Sequence, residues 1–401
     1  MSISTVTFQN DALNQFDALD AALSKTQNQL STGSKLPNAA ADPVAMTQVN
    51  QLNMQLSASQ QYVSNGNAAS SNLQLQTSAL TSATNVLQSA RDLAVQANDS
   101  ALNASQRQDI ATQLQQLLGQ LISAANTTDT NGNYLFAGTA AQTQPFAQSG
   151  SSVSYSGASG VNQIEIAQNQ FISAGDTGSS VFMNIPAGNG TFTTAAGAGN
   201  TGSASIDTGT VTDPSTWNGS SGVYTISFTS PTEYQVMSGS PPSGPPVASG
   251  TYTSGDAIAF DGIQVTISGA PATGDQFTVA PAGTTSGFGT LSSLITTLNS
   301  TTLNSGQLVT QVGGALQQID AAINTIDNVQ ASAGARLNAV SAAQSSAQSN
   351  QTTLQSSVSQ LSDTDYAAAT TQLSTEEIAL QAAEESYASL AKLSLFNYIQ
   401  G

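Results

Sequence analysis

The sequence predicts an α+β protein, elongated and multi-domain, in which helices from both ends of the chain build a long coiled-coil bundle and a β-rich domain is inserted between them. Two periodicities carry that expectation. Apolar residues recur at alternating steps of three and four in the first and last parts of the chain, the spacing of one helical face. The middle instead alternates apolar and polar residues between clusters of Gly, Ser, Thr and Pro. Composition alone points toward disorder, since only 7% of the 401 residues are charged and 5% aromatic, so the periodicity decides.

The first seam reads Phe16, Leu19, Leu23, Thr26 and Leu30, a coiled-coil pattern interrupted by one threonine. The stretch LSTGSKLPNAAADPVAM, residues 30–46, then breaks it. Gly33 suits a left-handed C-cap, and Leu36 before Pro37 avoids the α region. Asp42 and Pro43 supply an N-cap and a first turn for the next helix. The rhythm resumes at Val49, Leu52, Leu56 and Val63 and runs on through Leu73, Leu80 and Leu87. A single helix from Val44 to about Asn98 makes a rod of roughly 80 Å. Ile110, Leu114, Leu117, Leu121 and Ala124 mark another helix. Toward the C-terminus, Leu308, Val312, Ala315, Ile319, Ala322, Ile326 and Val329 form one seam, continued by Leu337, Val340, Leu354, Val358 and Leu361. Leu373, Leu380 and Tyr387 follow at sevens, with Leu390 beside them.

In the middle, residues 142–290, Tyr224, Ile226 and Phe228 alternate, as do Ile263, Val265 and Ile267, the period of half-buried strands. The break SGSPPSGPPVASG, Ser238 to Gly250, reads as an exposed turn or loop, and Tyr134-Leu135-Phe136 as a strand after a turn. Trp217 reads as a partly buried residue of the insertion rather than a ligand-stacking one.

Little chemistry is on offer. The chain has neither Cys nor His, which removes thiol nucleophiles, Cys/His zinc sites, Ser-His-Asp triads and disulfides. Its formal net charge is −18, with no Lys or Arg between Arg107 and Arg336, so it lacks the basic patch that nucleic acid or an anionic membrane requires. No signal peptide is visible at the start, and no segment reaches 18 consecutive apolar residues, so no membrane insertion is expected. The run from Asp129 to Ala140 imitates a calcium loop, but Gly132 stands at its fourth position rather than its sixth and Ala140 where a glutamate belongs, so a turn is the better reading. Asp363 with Asp365 read as helix N-terminal acids, and the pairs Glu376/Glu377 and Glu384/Glu385 as a solvated face, not as glycosidase carboxylates. No cofactor, no metal and no enzymatic activity are expected. The outermost seams, 16–30 and 373–390, have only each other as cover within the chain, a thin core whose remaining faces suit neighbouring subunits.

The broken stretch also carries a resemblance. Leu30, Ser31, Thr32, Gly33, Lys35, Leu36, Ala40 and Asp42 match the N-terminal signature of the flagellin superfamily, and Asp-Pro-Val-Ala at 42–45 is similar to its hook-associated type 3 branch rather than to flagellins. ISTVTFQN at 3–10, NGNYLFAG at 131–138, LAKLSLFNYI at 390–399 and, more loosely, FDGIQVTISGAPATGDQFTV at 260–279 agree. The chain departs from the pattern at Ala41-Asp42, where an acidic pair is frequent, and at Ser2, where a basic residue is.

The resemblance implies a structural protein of the bacterial flagellum. It would form a homo-oligomeric ring at the hook–filament junction, between the hook-side junction protein (hook-associated protein type 1) and flagellin. It would be extracellular, exported unfolded through the flagellar type III channel with an export chaperone. Residues 1–40 and 366–401 become tube-forming terminal helices, disordered in the monomer; 41–141 and 291–365 become the rod; 142–290 becomes the outer insertion. Phe16, Leu19, Leu23, Leu30, Lys35, Leu373, Leu380, Tyr387, Leu390 and Phe396 are the candidate interface residues, and Gly33, Pro37, Asp42 and Pro43 the structural connector. The alternatives are flagellin itself and, from another class, a carbohydrate-binding or hydrolytic module in the β region.

Overall fold

The computed structural model describes the chain except residues 1, 39, 41, 100, 218–221, 240, 241, 400 and 401, and within the first and last helices the side chains of 2–6, 8 and 390–399 are likewise outside the described set. Six α-helices are described: α1 Ser2–Thr32, α2 Pro43–Ala97, α3 Ala104–Ala125, α4 Gly287–Asn299, α5 Ser305–Ser362 and α6 Tyr366–Ile399. All the described strands lie between α3 and α4, which gives an α+β fold with helical ends and a β-rich middle. The chain divides into two compact units, residues 65–342 and residues 1–64 with 343–401.

The larger unit owes its order to two apolar cores. In the first, Leu80, Ala83, Leu87, Ala90 and Ala94 of α2 join Ile110, Leu114, Leu118 and Leu121 of α3, Phe288, Leu291 and Leu294 of α4, and Val312, Ile319 and Ile326 of α5. Alanine alternating with leucine along α2 admits close helix approach while still removing apolar surface from water. Helix α3 starts on a reciprocal capping box, Asn103 accepting from the Gln106 amide while the Gln106 side chain accepts from the Asn103 amide. Phe136, Phe146, Phe182 and Phe288 close the end of this core with tilted and edge-on rings, centroids 4.9–5.6 Å apart.

The second core lies within the β region. Five antiparallel strands run side by side in the order 243–251, 233–238, 224–230, 276–281 and 192–196. A further antiparallel set pairs 257–260 with 263–268, which also meets 205–206. Tyr224, Ile226 and Phe228 are buried, as are Ile263, Val265 and Ile267, so the period-two reading matches the buried faces. The 257–268 hairpin turns on Asp261 (φ +43°) and Gly262 (φ +79°), two left-handed residues of the kind a tight hairpin turn needs.

Two local expectations are corrected. The proline-rich stretch is not simply a loop, because Ser243–Thr251 forms a strand on the rim of the five-stranded sheet. Pro245 and Pro246 are tolerated there because an edge strand leaves half its backbone groups unpaired. Tyr134-Leu135-Phe136 is not a strand: Tyr134 makes an isolated bridge to Thr128, and Phe136 turns into the aromatic cluster. The cause is Asp129, which accepts from the amides of Asn131 and Asn133 at 2.8 Å and winds the chain into a turn.

The smaller unit contains α1, α6 and the adjoining parts of α2 and α5. Here α1 and α6 run antiparallel, as shown by Ser34 bridging Asp363 and Phe16 meeting Tyr387. Among its described residues only Thr26, Val49, Ser59, Ala347 and Ala369 are buried, so no leucine, isoleucine or aromatic side chain reaches an interior.

Candidate assembly surface

The surface is built on two breaks in the helical ladder. At the first, Gly33 (φ +69°) donates its amide to Gln29 O at 2.8 Å and ends α1 in the left-handed conformation that glycine adopts without a Cβ penalty. Exposed Pro37 follows, and Asp42 Oδ1 accepts from the amides of Val44 (3.0 Å) and Ala45 (2.9 Å), with Pro43 the first residue of α2. At the second break Asp365 Oδ1 accepts from the amides of Ala367 and Ala368 at 3.0 and 3.1 Å and caps α6.

The breaks meet. Ser34 and Asp363 form an antiparallel bridge in which the Lys35 amide donates to Ser362 O at 2.6 Å and the Thr364 amide to Gly33 O at 2.9 Å. Asp363 therefore closes α5 rather than opening α6, a correction to its reading as a helix N-terminal acid. Its carboxylate accepts from the hydroxyls of Ser359 and Ser362, which, with nearby Lys35, hold it below the ordinary carboxylate range. Lys35 Nζ donates to Gln360 O at 3.4 Å, and the ion pairs among the described residues, Arg91–Asp320 and Arg336–Asp176, do not involve it.

Along α1 and α6 the structure brings Phe16 against Tyr387, edge-on with centroids 5.8 Å apart, and leaves both half-buried. Leu19, Leu23 and Leu30 on one helix and Leu373 and Leu380 on the other are also only half-buried. The side chains of Leu390 and Phe396 lie outside the described residues. Outside the residues singled out from sequence, Leu13 is 55% exposed, Met54 66% and Ile378 65%. Leu13 lay three residues before Phe16, at helical spacing, and so was findable; the bridge partners Ser362 and Thr364 carried no pattern at all.

This arrangement offers apolar helix faces and backbone clamps. Among the described residues no group of three or more His, Cys, Asp or Glu is placed to hold a metal, and no helix is long and apolar enough to cross a membrane. The Asp129 turn is closed by its own donors, including Asn133 Nδ2 at 3.0 Å.

Comparison with known proteins places these features in a family. Residues 3–141 match the bacterial flagellin N-terminal helical region, 316–399 the bacterial flagellin C-terminal helical region, and 195–281 the D2-like domain of flagellar hook-associated protein 1. The crystal structure of Xanthomonas campestris FlgL is 33% identical, superimposes with a TM-score of 0.71, and is aligned over 77% of this chain and 99% of its own. The flagellar junction protein FlgL from Legionella pneumophila is 31% identical, with a TM-score of 0.69 over 79% of this chain and all of its own. Flagellar hook-associated protein 3 of Salmonella typhimurium is 31% identical over 185 residues, 46% of this chain. The match spans only 58% of that curated relative's length. With solved FlgL structures covered almost end to end at this identity, the chain belongs to the flagellar hook-associated protein 3 (FlgL) family of the flagellin superfamily.

Proposed function

We propose that this chain is a structural junction protein of the bacterial flagellum, joining copies of itself into a ring between hook-associated protein 1 on the hook side and flagellin on the filament side. One observation carries the reading most directly: among the described residues of 1–64 and 343–401, long helices bury no large apolar side chain except Val49. Helices gain most of their stability by burying a face against another element, so apolar seams left half open call for further subunits. On this reading Phe16, Leu19, Leu23, Leu30, Leu373, Leu380 and Tyr387, continued by Leu390 and Phe396, are the inter-subunit seam. Lys35 contacts an adjacent copy, and the stretch from Gly33 to Pro43 joins the tube-forming terminal helices, 1–40 with 366–401, to the rod of 41–141 and 291–365. The insertion 142–290 faces outward. The location is extracellular, reached through the flagellar type III channel with an export chaperone, and the role is assembly rather than catalysis.

Deleting the gene and examining cells and medium by electron microscopy and gel tests the reading. Intact hooks without filaments, with flagellin released into the medium, are the expected result. Hooks without filaments and no flagellin anywhere would instead assign the chain as the filament subunit, and normal filaments would remove it from assembly altogether.

A further inference from the structure

We propose that the larger unit carries a cation site, a small oxygen-lined cavity that takes a hard divalent ion of the calcium type. The cavity encloses about 110 Å³ and is lined from four stretches of chain: 72–76 of α2, 129–141, 161–162 and 174–176. A single water needs about 10–15 Å³ of such space, so an ion fits with part of its hydration shell. The polar side chains that matter are Gln76, Asp129 and Asp176, and no lysine or arginine is among the described lining residues. The site lies wholly within residues 65–342, so nothing about it depends on the state of the two chain ends.

One atom points to a ligand rather than to packing. Gln76 is 1% exposed, and its Oε1 has no hydrogen-bond partner among the described residues. The other end of the amide is fixed, because Nε2 donates to Asp176 Oδ2 at 2.6 Å, so Oε1 cannot turn away without losing that bond. A buried acceptor left without a donor is costly, and a cation with its bound water removes that cost. A Cβ built on Gly175 would lie 3.3 Å from this Oε1 and 3.6 Å from Leu135 O. Two uncharged oxygens therefore flank one point of the wall, which glycine keeps open. Two carboxylates supply the charge. Gln76 and Arg336 both donate to Asp176 Oδ2, which leaves Oδ1 for an ion. Asp129 is engaged by Asn131 and Asn133 on both oxygens, so it contributes field more than coordination. Carboxylate, amide and peptide oxygens are the ligands calcium takes, in geometry that tolerates irregularity, whereas magnesium demands a near-octahedral set and sheds water reluctantly. This is not the loop that residues 129–140 imitate, since the oxygens come from segments apart in sequence. With two carboxylates, one of them paired to Arg336, the affinity is weak, a Kd of about 10⁻⁴ to 10⁻³ M.

The test is the melting temperature of the full-length chain at one ionic strength, set with NaCl, in EDTA, in about 10 mM CaCl2 and in about 10 mM MgCl2. Calcium is expected to raise the melting of the 65–342 unit by about 3 °C or more over EDTA, and magnesium by less than half as much. Two variants locate the effect. Gln76→Met removes the unpartnered oxygen, and Gly175→Ala fills the point between it and Leu135 O. Each is compared in calcium with itself in EDTA, so a loss of stability common to both conditions cancels. Both are expected to lose at least two thirds of the calcium shift. Neither changes the net charge of −18, so that loss cannot come from weaker screening of the acidic chain. No shift beyond the NaCl-matched EDTA sample, magnesium equal to calcium, or an undiminished shift in either variant would each overturn the proposal.

Discussion

Gly33 occupies a conformation that most residues adopt only with strain, and a Cβ added there would lie 2.9 Å from the Tyr366 hydroxyl. Gly33→Ala is therefore expected to cost about 1 to 2 kcal/mol in the connector, seen as faster proteolysis between residues 30 and 45 with the larger unit's melting unchanged. Asp363 makes a second prediction. Its carboxylate is depressed in the fold, so its contribution is fully present above the unfolded value of about 3.9 and is lost as pH falls through the lower folded value. Connector proteolysis is thus flat from neutrality to about pH 5 and rises only below about pH 4, and Asp363→Asn removes that acid-limb rise. Arg336 makes a third. Its guanidinium donates to Ser173 O (3.3 Å) and Gly175 O (3.1 Å) and pairs with Asp176, which also accepts from Gln76 Nε2 at 2.6 Å. Arg336→Met leaves a partly buried carboxylate and two carbonyls without that donor, at a cost of about 2 to 4 kcal/mol by denaturant titration. An unchanged midpoint would show that solvent replaces it.

At the level of elements, the two units separate what a leucine does. Leu114→Ala in α3 removes a fully buried side chain and is expected to destabilise the larger unit by about 2 to 5 kcal/mol. Leu373→Ala in α6 removes a half-buried one and should cost the monomer less than about 1 kcal/mol while reducing filament formation in cells. Equal costs to the monomer would mean that the terminal helices already form a closed core. The helices were legible because their seams persist: α2 and α5 run unbroken over 55 and 58 residues, and Gly334 in the latter does not interrupt the apolar spacing around it. Helix α4 was only partly legible: 291–299 fell within the expected helical rod, but its start at Gly287 fell in the expected insertion, and its exposed Ser293, Thr296 and Asn299 are uncharged residues that mark a polar face weakly. The edge strand 243–251 was obscured by its prolines, which signal a turn by themselves and a sheet rim only once a neighbour is known. The bridge at Ser34 was invisible for a similar reason: a backbone contact between segments remote in sequence leaves no mark on side-chain pattern. At the candidate assembly surface, the apolar seams and the capping residues Gly33, Asp42 and Pro43 were readable from local chemistry, while the meeting of the two breaks was not.

For the whole molecule, the central claim is that the open apolar faces of residues 1–64 and 343–401 are covered by other subunits in the flagellum. Absence of cysteine makes this directly measurable, because one introduced thiol reports on one position. Ile378 is 65% exposed in the single chain and lies on α6 between Leu373 and Leu380. The measurement is the rate at which a maleimide labels Ile378→Cys in the purified monomer and in isolated flagella of a complemented deletion strain, with a control in the β region at exposed Val247→Cys. The account predicts that Ile378→Cys reacts rapidly in the monomer and at least tenfold more slowly in flagella, while Val247→Cys reacts alike in both. Equal labelling of Ile378→Cys in the two states would contradict it.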